Sequence, residues 1–524
     1  MVSGRMVRAA GILSVSTLIS RILGLIREIL FAGIFGANYV TDAFRVAYAI
    51  PYVLRRLLGE GAMSAYLVPV FTDIRAKEGD ENAKIFAYTA YTTFSLVVFA
   101  IIAIGIAIAP LIVFVIAPGL KSNPEAFNLA VYLARLMLPY MFLMMTSAMS
   151  MGILNSYEHF FTPSLSPIVM NLAFIGAMLY LCPLLGGDIS NQIVGLAYGV
   201  LIGGLLQVLV QVPAQFRFGI KFKPIFNFMH KGIKRMLLLM GPAMLVIGVV
   251  RINLLLDNIA ASFLGEGVIS ILSYGERLLQ FPLGIIGFAI STSSLPLLSR
   301  YFSDGKLDQM KRTLMEAFTL ATVVCLPAMF GLFALGGPLV EVIFRHGAFT
   351  MGDAHATTSV LYAFSIGLFG FVGVQVLVPG FYAMHDTKTP VWGALSALAT
   401  NGTLNFALMP FFGAFGIALA TSISAYVNAL VIAMLLRRRI GRLGFREFTK
   451  KALRIALASI VMAVLVWLAY HWLITIIGYG LIEKIVGVVV CTGLGVALFL
   501  ALSKLLGITE VNDIISRLFG RSPD

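Results

Sequence analysis

The chain has 524 residues, of which 59% are hydrophobic and only 12% are charged, and its mean hydropathy is +0.95. Water could not solvate a folded globule of this composition, so a water-soluble protein is excluded and a polytopic membrane protein is indicated. The formal net charge is +14. The three cysteines stand singly in apolar runs, which suggests neither a disulfide framework nor a cysteine metal site.

The first apolar run begins near Val7 and continues past Leu30 without a small-residue cleavage site, so we expect the first helix to stay in the mature protein. At about 20 apolar residues per span, the sequence predicts an all-α integral membrane protein with fourteen transmembrane helices. Their centres lie near residues 20, 55, 100, 140, 175, 205, 248, 285, 328, 368, 400, 425, 465 and 494.

The positive charge is distributed unevenly between the connections. With a cytoplasmic N-terminus, 27 of the 38 Lys and Arg fall in cytoplasmic segments, three on the opposite side and eight within spans. The positive-inside rule therefore predicts that both termini are cytoplasmic, and the net charge needs no nucleic-acid partner. The longest basic connection, residues 217–235, interleaves Phe and Ile with Lys, so we expect it to lie on anionic lipids of the inner leaflet.

This connection also divides the first twelve spans into two sets of six that resemble each other. NSYEHFFTP (155–163), before the fifth span, resembles FYAMHDTKTP (381–390), before the eleventh. Six spans return the chain to its starting side, so the two repeats are parallel and related by an axis along the membrane normal. The predicted domains are a six-helix lobe over residues 1–220, a second over 221–440, and two additional helices with a cytoplasmic tail over 441–524.

Charged residues are concentrated in the first two spans. A lipid-facing arginine costs about 2.5–3.5 kcal/mol, so we expect these arginines to line a wet, positive cavity for an anionic substrate. A guanidinium donates two parallel hydrogen bonds to phosphate, and several arginines together would suit a pyrophosphate. The five arginines are Arg21, Arg27, Arg45, Arg55 and Arg56, and the three acids among them are Glu28, Asp42 and Glu60.

The alternative is a set of internal ion pairs that hold the helices together. Arg27 would then pair with Glu28 or Asp42, and Arg56 with Glu60. Five arginines against three acids leave two positive charges that such pairing cannot remove.

A second polar group lies in the second half of the chain. Its members are spaced four apart on three spans, as Asn253 with Asp257, Asn401 with Asn405, and Ile417 with Thr421. Oxygen ligands on neighbouring helices, with one carboxylate, suit a monovalent cation such as sodium. Interhelical hydrogen bonding is the alternative.

Three segments resemble the MurJ (MviN) family of lipid II flippases: SRILGLIREILFAGIFG, TDAFRVAYAIPYVLRRLLGEGAMSAYLVPVF and ERLLQFPLGIIGFAISTSSLPLLS. The resemblance covers almost the whole chain. It implies the fold of the multidrug/oligosaccharidyl-lipid/polysaccharide exporter superfamily, with two extra helices that form a groove for a lipid tail. It also implies a bacterial inner (cytoplasmic) membrane, with lipid II, membrane lipids and the cell-wall synthesis machinery as partners. Lipid II is the undecaprenyl-pyrophosphate-linked disaccharide pentapeptide of peptidoglycan synthesis.

The resemblance also implies roles for particular residues. The arginines that resemble pyrophosphate ligands are Arg21, Arg27, Arg55 and Arg277. The further candidates for the cavity or its gate are Glu28, Asp42, Arg56, Glu60 and Glu276. The residues that resemble a sodium site of some members are Asp257, Asn401, Asn405, Ile417 through its carbonyl, and Thr421. Asn405 stands where the family pattern has a second acid, so the ion site of this chain would have a single carboxylate. Gln280 stands where some relatives have an acid, so the cavity would be slightly more positive.

We therefore predict a transporter rather than an enzyme, which moves lipid II from the cytoplasmic to the outer leaflet by alternating access, with sodium as a possible coupling ion. The alternatives within the superfamily are a cation-coupled drug exporter and an O-antigen or polysaccharide lipid flippase. A cavity for cationic drugs would be acidic, however, and this one is basic. A polyprenyl-phosphate membrane enzyme would need clustered acids or histidines, which the sequence does not show. A scaffold of the cell-wall machinery is a further alternative.

Overall fold

The computed structural model describes the backbone of residues 4–58 and 62–511, and the side chains of these residues apart from 4–10, 54–58, 62–65, 241–251 and 285–293. Within these ranges the chain is helical almost throughout and contains no strand. It divides into two compact units, Met1–Ser270 and Ile271–Asp524.

The first unit is built from twelve α-helices. They are α1 (Gly4–Phe35), α2 (Tyr39–Leu58), α3 (Ala62–Glu78), α4 (Asp80–Ala107), α5 (Ala109–Ile116), α6 (Pro124–Met137), α7 (Tyr140–Ser156), α8 (Phe161–Gly176), α9 (Cys182–Leu185), α10 (Ile189–Leu209), α11 (Val212–Arg217) and α12 (Lys231–Ser262). A 3₁₀ turn (Pro118–Ser122) precedes α6, and a π-helical segment (Ala177–Leu181) joins α8 to α9.

The second unit begins inside the next helix, whose first residues up to Ser270 belong to the first unit. Its helices are α13 (Val268–Ser303), α14 (Leu307–Phe344), α15 (Met351–Ile366), α16 (Leu368–Ala383), α17 (Thr389–Ile440), α18 (Phe445–Ile477) and α19 (Leu481–Leu505).

Many of these helices are long and apolar enough to cross a bilayer. Among the described residues, eight helical segments qualify by length and composition, and the bent pair α15–α16 is a ninth candidate. Only helices and closed barrels satisfy their backbone hydrogen bonds inside lipid, which is why the apolar segments of such a chain are helical. The predicted all-α integral membrane fold is confirmed, whereas the number of fourteen crossings stays a prediction.

The 52 residues of α17 would extend about 78 Å as one straight helix, far more than the roughly 30 Å of a bilayer core. The helix is interrupted at Gly413, whose backbone angles are φ 55° and ψ −135°. The two arms fold back on each other closely: a Cβ on Gly416 would lie 2.7 Å from the Leu408 carbonyl oxygen. This turn separates the regions predicted as spans eleven and twelve.

Small residues let helices of the first unit approach closely. Gly195, Gly199 and Gly203 recur every four residues on one face of α10. A Cβ on Gly199 would lie 2.3 Å from the Cβ of Ala177, and one on Gly203 would lie 2.6 Å from the sulfur of Met170. Close backbone packing through such small residues is the usual way in which helices associate in lipid.

The last two helices pack on α14 through a continuous apolar cluster. It includes Val323 and Leu326 of α14, Ile455 and Val466 of α18, and Cys491 of α19. The two helices that the sequence adds after its repeat are therefore an integral part of the second unit.

The turn at Gly413 generates a stability prediction. Gly413→Ala places a side chain in a backbone region that is nearly restricted to glycine, at a cost of about 1–3 kcal/mol. We expect a lower melting temperature for the purified variant in a thermal-shift assay. Gly331→Ala is the matched control, because neither glycine has an atom within 4 Å of an added Cβ but Gly331 lies inside α14 without a positive φ. Equal melting temperatures for the two variants would contradict the view that the backbone conformation at position 413 requires glycine.

Candidate functional site

The acid of the first predicted span is shared by two arginines. The Nη2 atom of Arg27 lies 2.8 Å from Oε1 of Glu28, and the Nη2 atom of Arg45 lies 3.4 Å from Oε2 of the same carboxylate. The Glu28 side chain is 8% exposed, and each arginine side chain is 17% exposed. Of the two ion pairs considered for Arg27, the structure has the one with Glu28.

Aromatic faces complete the surroundings of this cluster. The guanidinium of Arg27 lies 5.0 Å from the ring centroid of Phe174, and that of Arg45 lies 5.0 Å from the ring of Phe31. Both rings are buried. A cation over an aromatic face is attracted by the ring quadrupole, so these contacts stabilise the guanidinium groups without neutralising them.

Asn171 of α8, which is not among the residues predicted from the sequence, binds Arg27. Its Oδ1 atom accepts a hydrogen bond of 3.1 Å from Nη1 of Arg27, and its Nδ2 atom donates one of 3.0 Å to the backbone carbonyl of Ser20. Asn171 is 7% exposed. A single asparagine inside an apolar span was the available signal, because such a residue usually hydrogen-bonds to a neighbouring helix.

The remaining candidates in the first two spans are described only in part. Arg21 has an exposed side chain on α1. The side chains of Arg55 and Arg56 lie outside the described residues, and so does the whole of Glu60. The predicted pair of Arg56 with Glu60 stays a prediction.

In the second unit, Gln280 joins the two charged candidates of α13. Its Oε1 atom accepts a hydrogen bond of 3.4 Å from Nη1 of Arg277, and its Nε2 atom donates one of 2.9 Å to Oε1 of Glu276. The amide is therefore an uncharged link between the two groups. An acid at this position would instead face Glu276 with a like charge one helical turn away.

Asp42 lies at the beginning of α2 and binds the beginning of α13. Its carboxylate accepts hydrogen bonds from the backbone N–H of Gly267 at 2.7 Å and from that of Ser270 at 2.8 Å. The hydroxyl of Ser270 donates a third, 2.7 Å long. Asp42 is 1% exposed. The first N–H groups of a helix have no partner within the helix and carry partial positive charge, so a buried carboxylate is well accommodated there.

Three of the candidate ion ligands come together across the turn of α17. The hydroxyl of Thr421 lies 3.3 Å from Oδ1 of Asn401 and 3.1 Å from the carbonyl oxygen of Ile417. Asn401, Asn405 and Ile417 are fully buried. Three neutral oxygens at one point are compatible with a monovalent cation, and they also form the interhelical hydrogen bond that was the alternative.

Asp257 lies on α12 in the first unit, whereas the candidate ligands on α17 belong to the second. It is half-buried, as is Asn253 one helical turn earlier. The Oδ1 atom of Asn253 is buried and has no hydrogen-bond partner among the described residues. A buried carbonyl oxygen of this kind fits a site that binds a cation.

Solved structures identify the class of protein that has this fold. A multidrug resistance MATE family transporter of the MOP superfamily, in an inward-facing conformation, matches with a TM-score of 0.66 at 15% sequence identity, over 83% of this chain and 98% of that one. The chain therefore has the fold of a MOP-superfamily transporter.

More similar proteins identify the family. The family model for the lipid II flippase MurJ matches residues 31–486. The probable lipid II flippase MurJ of Vibrio cholerae serotype O1 is 36% identical over 97% of both chains, and the lipid II flippase MurJ of Burkholderia cenocepacia is 35% identical over 81% of this chain and 82% of that protein. A solved lipid II flippase MurJ in an inward closed conformation has a TM-score of 0.79 at 27% identity, over 96% of this chain and 99% of that one. The chain belongs to the MurJ family of lipid II flippases.

The resemblance inferred from the sequence motifs is thereby confirmed. The higher identity to flippases than to multidrug transporters also favours the lipid II flippase over the cation-coupled drug exporter.

The contact of Asp42 with α13 generates a second prediction. Asp42→Asn keeps the size of the side chain but turns an amide N–H toward backbone donors, so we expect a lower melting temperature. A hydrogen bond to a charged group contributes about 1.5–3 kcal/mol. Ser270→Ala removes one of the three bonds and should have a smaller effect. If the double variant is destabilised by the full sum of the single effects, the two residues do not interact as described.

Proposed function

We propose that this protein translocates lipid II from the cytoplasmic leaflet to the outer leaflet of a bacterial inner membrane by alternating access. The family assignment supports the substrate, since its curated relatives are named lipid II flippases. The fold supports the mode of action, because it is shared with inward-facing and outward-facing transporters.

The observation that carries this proposal is the cluster of Arg27, Arg45 and Glu28. Two guanidinium groups share one carboxylate, so the cluster itself carries an excess positive charge. A pyrophosphate is the anionic part of lipid II, and guanidinium groups bind phosphate oxygens through paired hydrogen bonds without losing their charge. We propose Arg21, Arg27 and Arg55 as pyrophosphate ligands from the first lobe and Arg277 as the ligand from the second.

The contact of Asp42 with the first turn of α13 suits a closure that opens during the cycle. It consists of hydrogen bonds from backbone N–H groups and one hydroxyl, all of which water can replace. Within the described part of the chain, no Lys or Arg forms an ion pair with Asp42, so breaking this contact separates no ion pair there. We propose that this contact closes one side of the carrier and that its opening accompanies release of the lipid.

We propose fourteen crossings with both termini in the cytoplasm. The turn at Gly413 supports two crossings within α17, and we assign α2 and α3 together to the second crossing. The proposed lobes are residues 1–220 and 221–440, and residues 441–524 supply the two helices that accompany the lipid tail.

The arginines generate a test in cells. Arg21→Ala, Arg27→Ala, Arg55→Ala and Arg277→Ala should each abolish growth that depends on this protein, because each removes charge-assisted hydrogen bonds of about 1.5–3 kcal/mol. Lysine at the same positions should rescue only partly, since a point charge cannot bind as a fork. Arg135→Ala is the control: Arg135 also lies within a predicted span, but its Nε atom donates to the carbonyl of Ile106 at 3.2 Å. If all four alanine variants supported growth, the phosphate site would be wrong.

Transport itself is tested with purified protein in vesicles that contain lipid II. An enzyme added outside should gain access to headgroups that began inside, and Arg27→Ala should slow this exposure while Arg135→Ala does not. Exposure that is no faster than in vesicles without protein would contradict the proposed activity.

We further propose that Asp257 and the oxygens of Asn401, Asn405, Ile417 and Thr421 bind a coupling sodium ion. The convergence of Asn401, Ile417 and Thr421 supports it, as does the unpaired Oδ1 atom of Asn253 beside Asp257. Binding would favour one conformation of the empty carrier and so reset it after the lipid leaves.

Sodium should therefore raise the melting temperature of the purified protein in a concentration-dependent manner. A ligand at 100 times its dissociation constant stabilises by about 2.7 kcal/mol. Asp257→Asn should remove the effect, and potassium serves as the ionic-strength control. A melting temperature that responds equally to both salts in both proteins would favour the hydrogen-bond alternative. That result would not contradict the proposed flippase activity.

A further inference from the structure

The connection between α11 and α12 has an unusual conformation. Residues 218–230, here called the strap, contain no helix. The preceding helix α11 ends in a Schellman motif, in which Ile220 N–H bonds to the carbonyl of Gln215 and Gly219 N–H to that of Phe216, with Gly219 at φ +76°. From there the chain runs without regular structure to His230, the N-cap residue of α12.

Side chains of α4 hold the backbone of the strap in place. The hydroxyl of Tyr88 donates to the carbonyl of Gly219 at 3.2 Å and accepts from the N–H of Lys221 at 3.1 Å. The N–H of Ile225 donates to the hydroxyl of Thr92 at 2.9 Å. The first part of the strap is therefore fixed, with Phe218 stacked on Tyr157 and Phe222 against Tyr91, whereas the side chains of Phe226, Phe228 and Met229 remain available for other contacts.

Those side chains are large, apolar and exposed. Phe226 is 68% exposed, Phe228 is 53% exposed and Met229 is 91% exposed. The strap begins directly after the segment Ile189–Arg217, which is long and apolar enough to cross a membrane. It therefore lies where a span leaves the hydrocarbon, at the depth at which aromatic side chains partition into the lipid interface.

The surroundings of these apolar side chains are positively charged. Between Arg217 and Arg235 the sequence contains six basic residues and no acid. Two acids of the neighbouring helices are already engaged, since Asp73 pairs with Lys77 and Arg235, and Asp80 with Arg75 and Lys84. Within the described residues, neither Lys221 nor Lys223 forms an ion pair, and both are exposed.

We propose that the strap binds the headgroups of anionic lipids, with Phe226, Phe228 and Met229 immersed in the interface and Lys221 and Lys223 against the phosphates. The positive charge of the strap and its position at the end of a span together favour anionic lipid as the partner. A cytosolic acidic protein would satisfy the lysines but would not account for exposed phenylalanines at the end of a span. The binding anchors the ends of α11 and α12 at a fixed depth, and it depends on lipid charge rather than on the transported molecule.

The test uses the full-length protein in lipid nanodiscs with a fluorophore on the strap. Cys182, Cys325 and Cys491 are all buried and are replaced by Ala, and Asn227→Cys carries the label. Quenching by a brominated phosphatidylglycerol is compared with quenching by a brominated phosphatidylcholine of the same chain length. We expect stronger quenching by the anionic lipid, and loss of the difference at about 1 M salt, where the Debye length is about 3 Å.

Two variants separate charge from immersion. Each lysine at an anionic surface contributes about a fivefold preference, so Lys221→Gln/Lys223→Gln should lower the quenching ratio of the two lipids several-fold. Phe226→Ser/Phe228→Ser should instead weaken quenching by both lipids, because the label then lies less deep. All four residues are exposed, so the variants should keep the parental melting temperature.

Another connection supplies matched controls. Lys306 in the loop after α13 pairs with Asp304 at 3.3 Å, and Lys311 in the first turns of α14 pairs with Asp308 at 3.1 Å, so each of these lysines already has an acidic partner. Lys306→Gln/Lys311→Gln should leave the ratio at Asn227→Cys unchanged, and a label at Ser303→Cys should show no preference for the anionic lipid. Equal quenching by both lipids in the parental protein, or a ratio that Lys221→Gln/Lys223→Gln does not alter, would overturn the proposal.

Discussion

The positive groups inside this protein have to be stabilised without being neutralised, and the carboxylate of Glu28 between Arg27 and Arg45 meets that requirement. An unpaired arginine at the centre of a membrane costs about 2.5–3.5 kcal/mol. One acid shared by two arginines lowers this cost for both while leaving one charge over. The rings of Phe31 and Phe174 add attraction with no negative charge. The two arginines are thus held in position, which would reduce the reorganisation required by the proposed binding of a pyrophosphate.

Helix α2, which carries Arg45, also carries Asp42, whose carboxylate contacts the beginning of α13. Asp42 and Arg45 are three residues apart on α2, so the carboxylate that binds the α13 N–H groups and the guanidinium that binds Glu28 lie near one another on its surface. A movement of α2 therefore changes both contacts together. In the proposed mechanism, an anion that attracts Arg45 would act on the helix whose first turn is held by Asp42, and substrate binding would thereby be coupled to opening of this contact.

The sequence was sufficient for the class of fold, because a bilayer permits few structures other than helices, and apolar runs of the required length are visible in it. It also drew attention to the arginines of the first two spans, since charge inside an apolar span is rare, but their role as phosphate ligands stays a prediction. The sequence could not identify Asn171, which accepts a hydrogen bond from Arg27 although the two residues are 144 positions apart in the chain. Spacing along one helix contains no information about such contacts, whereas the Gln280 link to Glu276 and Arg277 follows from local helix geometry.

The basic residues of the chain divide into two chemical kinds by location. All eight that fall within predicted spans are arginines, whereas four of the six between Arg217 and Arg235 are lysines. An ammonium group loses its proton readily when it is buried, and it is more strongly hydrated than a guanidinium. Arginine therefore keeps its charge in the interior, where the proposed phosphate ligand would be recognised by hydrogen bonds of fixed direction. Lysine suits the proposed role of the strap, in which a hydrated charge on a flexible stem would follow mobile headgroups while the phenylalanines fix the depth.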